Sequence, residues 1–143
     1  MSRERTLMGH TGATAVISLK GPRMLYAILC YNSESVVSAW SKEKDAAVMA
    51  HHQGVMREIA AKGKLGPVAR LMPTTTATTL RPGRETLVLD GPFAETKEQL
   101  LGFYIVDCES LEEAIEIGKQ FMNETGAMEI RPVMFFDKGG PLG

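Results

Sequence analysis

The sequence predicts an α+β domain of element order β-α-β-β-α-β, with the strands in one antiparallel sheet. Three observations lead there. Two runs of strand length, 24–31 (MLYAILCY) and 100–108 (LLGFYIVDC), are rich in β-forming residues. Each is followed by a capped stretch with apolar residues at helical spacing. Between the two halves lies a Thr-rich stretch punctuated by Pro and Gly that reads as a hairpin. The length of 143 residues fits one domain, and 44% hydrophobic with 23% charged residues is ordinary for a globular chain.

Taken in order, residues 1–23 are basic and carry only a short apolar patch at 13–19. That patch is too short for a secretory signal and lacks a small-residue cleavage site. The segment ends in Gly21, Pro22 and Arg23, so 1–23 is expected to be an N-terminal extension outside the core, on the surface or on a neighbouring chain. The domain proper is expected at 24–136. After the first strand, residues 32–35 form a turn, and Ser41 caps a helix running to about Lys62, with Gly63 at its end. At about 100° per residue, Met49, His52, Met56 and Ile59 share one face, with Val48 and Val55 beside them.

Residues 65–72 predict a strand that Pro73 breaks, 74–81 (TTTATTLR) continue as an edge strand, and 85–89 (ETLVL) return after the Pro82–Gly83 turn. After the strand at 100–108, Ser110 and Glu113 have the spacing of a capping box, in which Glu113 reaches back to the Ser110 amide. This helix is expected to turn Leu111, Ala114, Ile115, Gly118, Phe121 and Met122 inward. Gly126 ends the segment, 127–136 (AMEIRPVMFF) is the last strand, and the Gly/Pro-rich 137–143 is a flexible tail.

With two helices of similar weight, the order is that of the ferredoxin-like split β-α-β arrangement, both helices covering one sheet face. The other face then needs cover. Leu25, Ala27 and Leu29 alternate with Tyr26, Ile28 and Cys30, so the first strand is apolar on both sides, and 100–106 is too. A sheet with one face in water alternates apolar and polar residues. No third helix remains to cover the second face, so a second copy is the expected occupant: a homodimer packed sheet to sheet.

Charge and motifs bound the chemistry. A net charge of −1, from 16 basic and 17 acidic residues, argues against a nucleic-acid surface. No stretch reaches the ~20 apolar residues of a membrane span. Cys30 and Cys108 lie in candidate strands without zinc or redox spacing, as expected of free core thiols in a reducing cytoplasm. No Gly-rich phosphate loop precedes a helix and no nucleophile motif is present, so no cofactor is implied. His51 and His52 point about 100° apart on a helix, which works against a shared metal ion, and no metal site is expected.

The segment 90–98 (DGPFAETKE), followed by 101–107 (LGFYIVD), 110–114 (SLEEA) and 129–133 (EIRPV), resembles the DGPF group of the YCII-related domain family. The likeness covers about 24–136. It implies a dimeric α+β barrel of ferredoxin-like chains, in agreement with the argument from the two apolar faces. It also implies a His–Asp pair in a cleft, proposed as catalytic for such proteins; carried over, the pair is His52 and Asp90. Occurrence beside sigma factors of the extracytoplasmic-function class implies the alternative of a non-catalytic accessory or regulatory protein. The likeness implies no particular reaction.

Each site residue has two readings. Asp90 before Gly91–Pro92 is either an Asx-turn former or a carboxylate that orients an imidazole. His52 among Met49, Val55, Met56 and Ile59 is either a hydrogen-bonded core residue or a base activated by Asp90. A partner carboxylate raises the imidazole pKa and plain burial lowers it, so the two readings differ in sign. Phe93 is expected to wall the pocket, with Lys97 on its rim. Arg131 is either paired with Glu129 or Glu95, or it reads a small anionic ligand beside Lys97.

Overall fold

The computed structural model describes residues 23–141. Its elements are β1 (Met24–Asn32), α1 (Glu34–Ser38), α2 (Lys42–Ala61), β2 (Leu65–Arg70), β3 (Thr78–Arg81), β4 (Leu87–Asp90), β5 (Gln99–Cys108), α3 (Leu111–Phe121) and β6 (Ala127–Pro132). A single 3-10 turn occupies Thr74–Thr76. Four strands form an antiparallel sheet in the order β2-β5-β1-β6, while β3 and β4 form a separate two-stranded ribbon. The chain is α+β with an antiparallel sheet, compatible with the ferredoxin-like arrangement. Residues 1–22, and with them nearly all of the expected extension, lie outside the described residues, as do 142 and 143. Arg23 is tied to β5 at the surface: its Nε donates to the Asp107 carboxylate at 3.1 Å.

The helix-facing side of the sheet is the core. Ile28, Val106 and Cys108 from the two central strands pack with Val55 and Ile59 of α2 and with Ala114, Ile117 and Phe121 of α3. Leu111 and Met122 were expected inside and are exposed, and Ile117 takes the inward place instead. The reason is length. The helix ends at Phe121, so Met122 has left the helical phase, and Leu111 is the first residue of the helix. On the opposite face, Leu25, Ala27 and Leu29 of β1 stand beside Phe103 and Ile105 of β5, half-buried within one chain. Both faces of the central pair are therefore apolar.

Local chemistry fixes the helix starts. Ser41 caps α2 by accepting from the Lys44 amide at 3.0 Å, and Ser110 caps α3 by accepting from the Glu113 amide at 3.1 Å. Glu113 reaches past the cap to the Glu109 amide at 2.8 Å, one residue earlier than a capping box requires, and its other oxygen accepts from the Lys64 ammonium. The turn expected at 32–35 tightens into α1, capped by Ser33. Asn32 is a buried polar side chain, and it is satisfied: it donates to the Thr125 carbonyl and accepts from the Ser33 amide.

The stretch 74–81 does not continue β2. Pro73 removes a donor, and the Glu34 carboxylate then takes both the amide and the hydroxyl of Thr74, at 2.8 and 2.7 Å. That clamp turns the chain out of the sheet, and β3 and β4 pair only with each other. The last strand likewise ends at Pro132 rather than 136, leaving Met134 and Phe135 exposed, and 137–141 carry no regular structure.

Gly102 sits buried in β5 where β2 comes closest. A Cβ there would collide with the carbonyl oxygen of Ala69. Gly102→Ala should therefore force β2 away from β5 and destabilise the fold by about 1–3 kcal/mol. The expected signature is a lower urea midpoint with an unchanged slope; an unshifted midpoint would show that the β2–β5 contact yields freely.

Candidate functional site

The polar centre of the helix–sheet layer begins at the end of α3. The last carbonyls of a helix have no intrahelical donor. Here two of them receive donors from α2: His51 Nε2 donates to the Gln120 carbonyl at 2.8 Å, and His52 Nε2 donates to the Phe121 carbonyl at 3.2 Å. Adjacent histidines diverge on a helix, and that divergence lets them reach successive carbonyls. A carbonyl only accepts, so Nε2 of His52 carries the proton and Nδ1 is left as an acceptor. The Tyr104 hydroxyl lies 3.5 Å from that Nδ1. Tyr104 in turn stacks on Phe121, with ring centroids 3.8 Å apart and planes 15° from parallel, and His52 meets Phe121 edge-on at 5.5 Å.

These groups face a recess of about 130 Å3 between α2, the sheet and the start of the 123–126 turn. Cys30, Val48, Met49, Met56 and Met128 supply its apolar wall, and Asn123 joins His52 and Tyr104 as a polar one. A broader groove of about 610 Å3, bounded by Glu34, Ser38, Lys42 and Met72, shares Val37, Trp40, Asp45, Arg70 and Leu101 with the recess. Burial is the main electrostatic influence. It lowers the His52 pKa against the opposing Phe121 hydrogen bond, and the charges of His51 and Arg70 push the same way. It raises the Tyr104 hydroxyl to about 12 and the Cys30 thiol to about 11. Neutral imidazole, phenol and thiol are therefore the species present at neutral pH. Cys30 is then a packing thiol rather than a nucleophile.

The expected His52–Asp90 hydrogen bond is not formed within the chain. The ring nitrogens of His52 face Phe121 and Tyr104, and its pKa moves down, the direction assigned to burial rather than to a carboxylate partner. Asp90 ends β4, opposite Thr78 on the separate ribbon, and is exposed. Among the described residues its carboxylate accepts no hydrogen bond, so the Asx-turn is not formed either. Gly91 makes the turn instead, at φ +98°, a left-handed conformation that a side chain would strain. Its amide donates to Ala77 and its carbonyl accepts from Thr79, both at 2.7 Å, which closes the ribbon at its root.

Phe93 is 72% exposed and does not line the recess; its carbonyl accepts from Arg81 at 2.9 Å. Lys97 is exposed in the same loop, with no hydrogen-bond or ion-pair partner among the described residues. Arg131 pairs with Glu129 at 2.7 Å on the face of the sheet away from the helices, opposite Ala27. Tyr104, Trp40 and Arg70 line the site without having been singled out by the sequence. Their sequence signal is weak: Arg70 reads as the polar end of an edge strand, and only the fold sets it across from Asp45. Among the described residues no group of three or more His, Cys, Asp or Glu side chains could hold a metal ion, and no helix is long and apolar enough to cross a membrane.

Residues 24–137 match the YCII-related domain. The chain is also 58% identical, over 120 residues, to an uncharacterized protein of Rhizobium meliloti (strain 1021); the aligned part is 81% of this chain and 97% of that protein.

The lowered His52 pKa gives a signed test. The imidazole titrates at about 6.5 when unfolded and lower when folded, so just below 6.5 the unfolded chain binds more protons. Stability contributed by neutral His52 is fully present above 6.5 and is lost as pH falls from there through the folded pKa. His52→Gln, which can still donate to the Phe121 carbonyl, should flatten this part of the urea-midpoint profile against pH. An identical profile in the variant would place the titration elsewhere.

Proposed function

The chain belongs to the YCII-related domain family, and from that premise we propose that it is a homodimeric α+β barrel that binds, and as an enzyme converts, a small molecule in the His52–Tyr104 recess. The observation that carries this reading is the recess itself: a neutral imidazole–phenol pair set in an apolar wall yet continuous with an open groove. Small-molecule sites combine apolar walls with few fixed polar groups. In this reading His52, oriented through Nε2 by the Phe121 carbonyl, offers Nδ1 to the Tyr104 proton, and the pair can take or return a proton at one ligand atom.

The half-buried Leu25, Ala27, Leu29, Phe103 and Ile105 support sheet-to-sheet pairing of two copies. In that dimer the DGPF loop and the β3–β4 ribbon are the segments free to reach across, and Asp90, Phe93 and Lys97 are proposed to form the rim of the second copy's site. Arg131, held by Glu129, borders the same seam and completes the anionic-ligand side of the proposal. A second reading, an accessory protein acting by contact with a partner in sigma-factor-dependent transcription, draws support from the ribbon. Leu80, Val88 and Leu89 are exposed there, and an isolated ribbon is marginal in water.

Two measurements test these statements. Sedimentation at micromolar concentration should give twice the 15.6 kDa chain mass; a single monomer species would end the dimer reading. In a fragment screen by NMR, ligands should shift the Tyr104 and His52 resonances. Tyr104→Phe should weaken those ligands by roughly three- to tenfold, the loss of one hydrogen bond. Fragments that bind only on the ribbon would favour the contact reading instead.

A further inference from the structure

We propose that the ligand is a compact apolar monocarboxylate, its body in the recess and its carboxylate on the Arg70 guanidinium at the wall shared with the groove. The proposal rests on the recess being a ligand site and names what that site selects.

Three observations converge on it. The first is size. A cavity near 150 Å3 takes a benzene molecule, and the recess, at about 130 Å3, takes an apolar body of that order, a single ring or a short branched chain. Met49 and Met56 make a wall that adapts to such a shape.

The second is the state of Arg70. It ends β2, anchored opposite Gly102, and it lines both cavities. Among the described residues, one of its amino groups donates to the Met49 thioether sulfur at 3.1 Å, a weak acceptor. The other stands 3.9 Å from the Asp45 carboxylate, at the limit of an ion pair, and both side chains are about half exposed. A pair of that geometry holds little free energy. A planar fork of five donors thus meets one weak acceptor and one distant one, and a carboxylate would satisfy it bidentately.

The third is charge around the groove, which sets the ligand's valence. Glu34 and Asp45 line it alongside Lys42 and Arg70. Glu34 accepts from the Thr74 amide and hydroxyl, which hold its carboxylate in place on the wall. Two carboxylates against two cations suit a monoanion and oppose a phosphate dianion. With the acid at Arg70, the Tyr104 hydroxyl and Asn123 remain in the lining to reward one polar substituent.

The test uses the full chain with benzoate, its neutral isostere benzamide and inorganic phosphate as probes, read by NMR titration. Benzoate should shift the Trp40 indole, Tyr104 and His52 signals and bind at least roughly tenfold more tightly than benzamide, with phosphate leaving the recess signals unmoved. Arg70→Gln, at an exposed position, should remove the preference by weakening benzoate alone. Equal binding of benzoate and benzamide in the recess would overturn the carboxylate proposal while the recess stands. Benzoate binding unchanged in Arg70→Gln would also overturn it. Failure of both aromatic probes to move Tyr104 or His52 would take the recess reading down with it.

Discussion

Much of this molecule depends on how the C-terminal carbonyls of α3 are satisfied. Left bare, the part-buried Phe121 carbonyl would carry the penalty of an unpaired acceptor, about 1–3 kcal/mol, while the Gln120 carbonyl lies on the exposed side. Two α2 histidines supply the donors. The consequence spreads in both directions. Two hydrogen bonds join α2 to the end of α3, and Phe121 stacks flat on Tyr104. The imidazole of His52 is turned so that its free nitrogen looks at the phenol and the recess. A group that answers a structural need in the helix is thereby presented, in one tautomer, to a cavity.

That economy explains why the recess holds no charged catalytic dyad within one chain. Burial keeps His52, Tyr104 and Cys30 neutral, and the charged groups, Arg70 and Asp45, stand where recess and groove meet. The recess therefore grades from a charged mouth to an uncharged interior.

The DGPF segment has a local explanation that does not depend on chemistry. Its glycine makes the turn at the root of the ribbon, its Thr96 accepts from Gln99 at the start of β5, and Gln99 also accepts from the Glu34 amide. Glu34 meanwhile holds Thr74 at the other foot of the ribbon. Both feet of an outward ribbon are thus fastened to α1. The ribbon keeps its apolar side chains outside the core, where a second surface can meet them.

The sequence by itself determined the alternation-based quantities: the two central strands, their apolar character on both faces, the capped starts of α2 and α3, and the stripe that sets Val55 and Ile59 against the sheet. These follow from periods of two and of 3.6 residues and from Ser caps, all local in the chain. The site was legible only in part. His52 was visible as a histidine on an apolar stripe, but its partners are 69 and 52 residues away, and a backbone carbonyl leaves no mark in a sequence. Within one chain the ring nitrogens of His52 meet Phe121 and Tyr104, and Asp90 lies on the β3–β4 ribbon, whose foot Glu34 holds at Thr74 in a contact across 40 residues. Arg70 carried only the weak signal of a polar strand end until β2 lay beside β5. Tertiary structure decided which polar groups meet because hydrogen bonds select partners by position in space, whereas burial is written into the pattern of each segment.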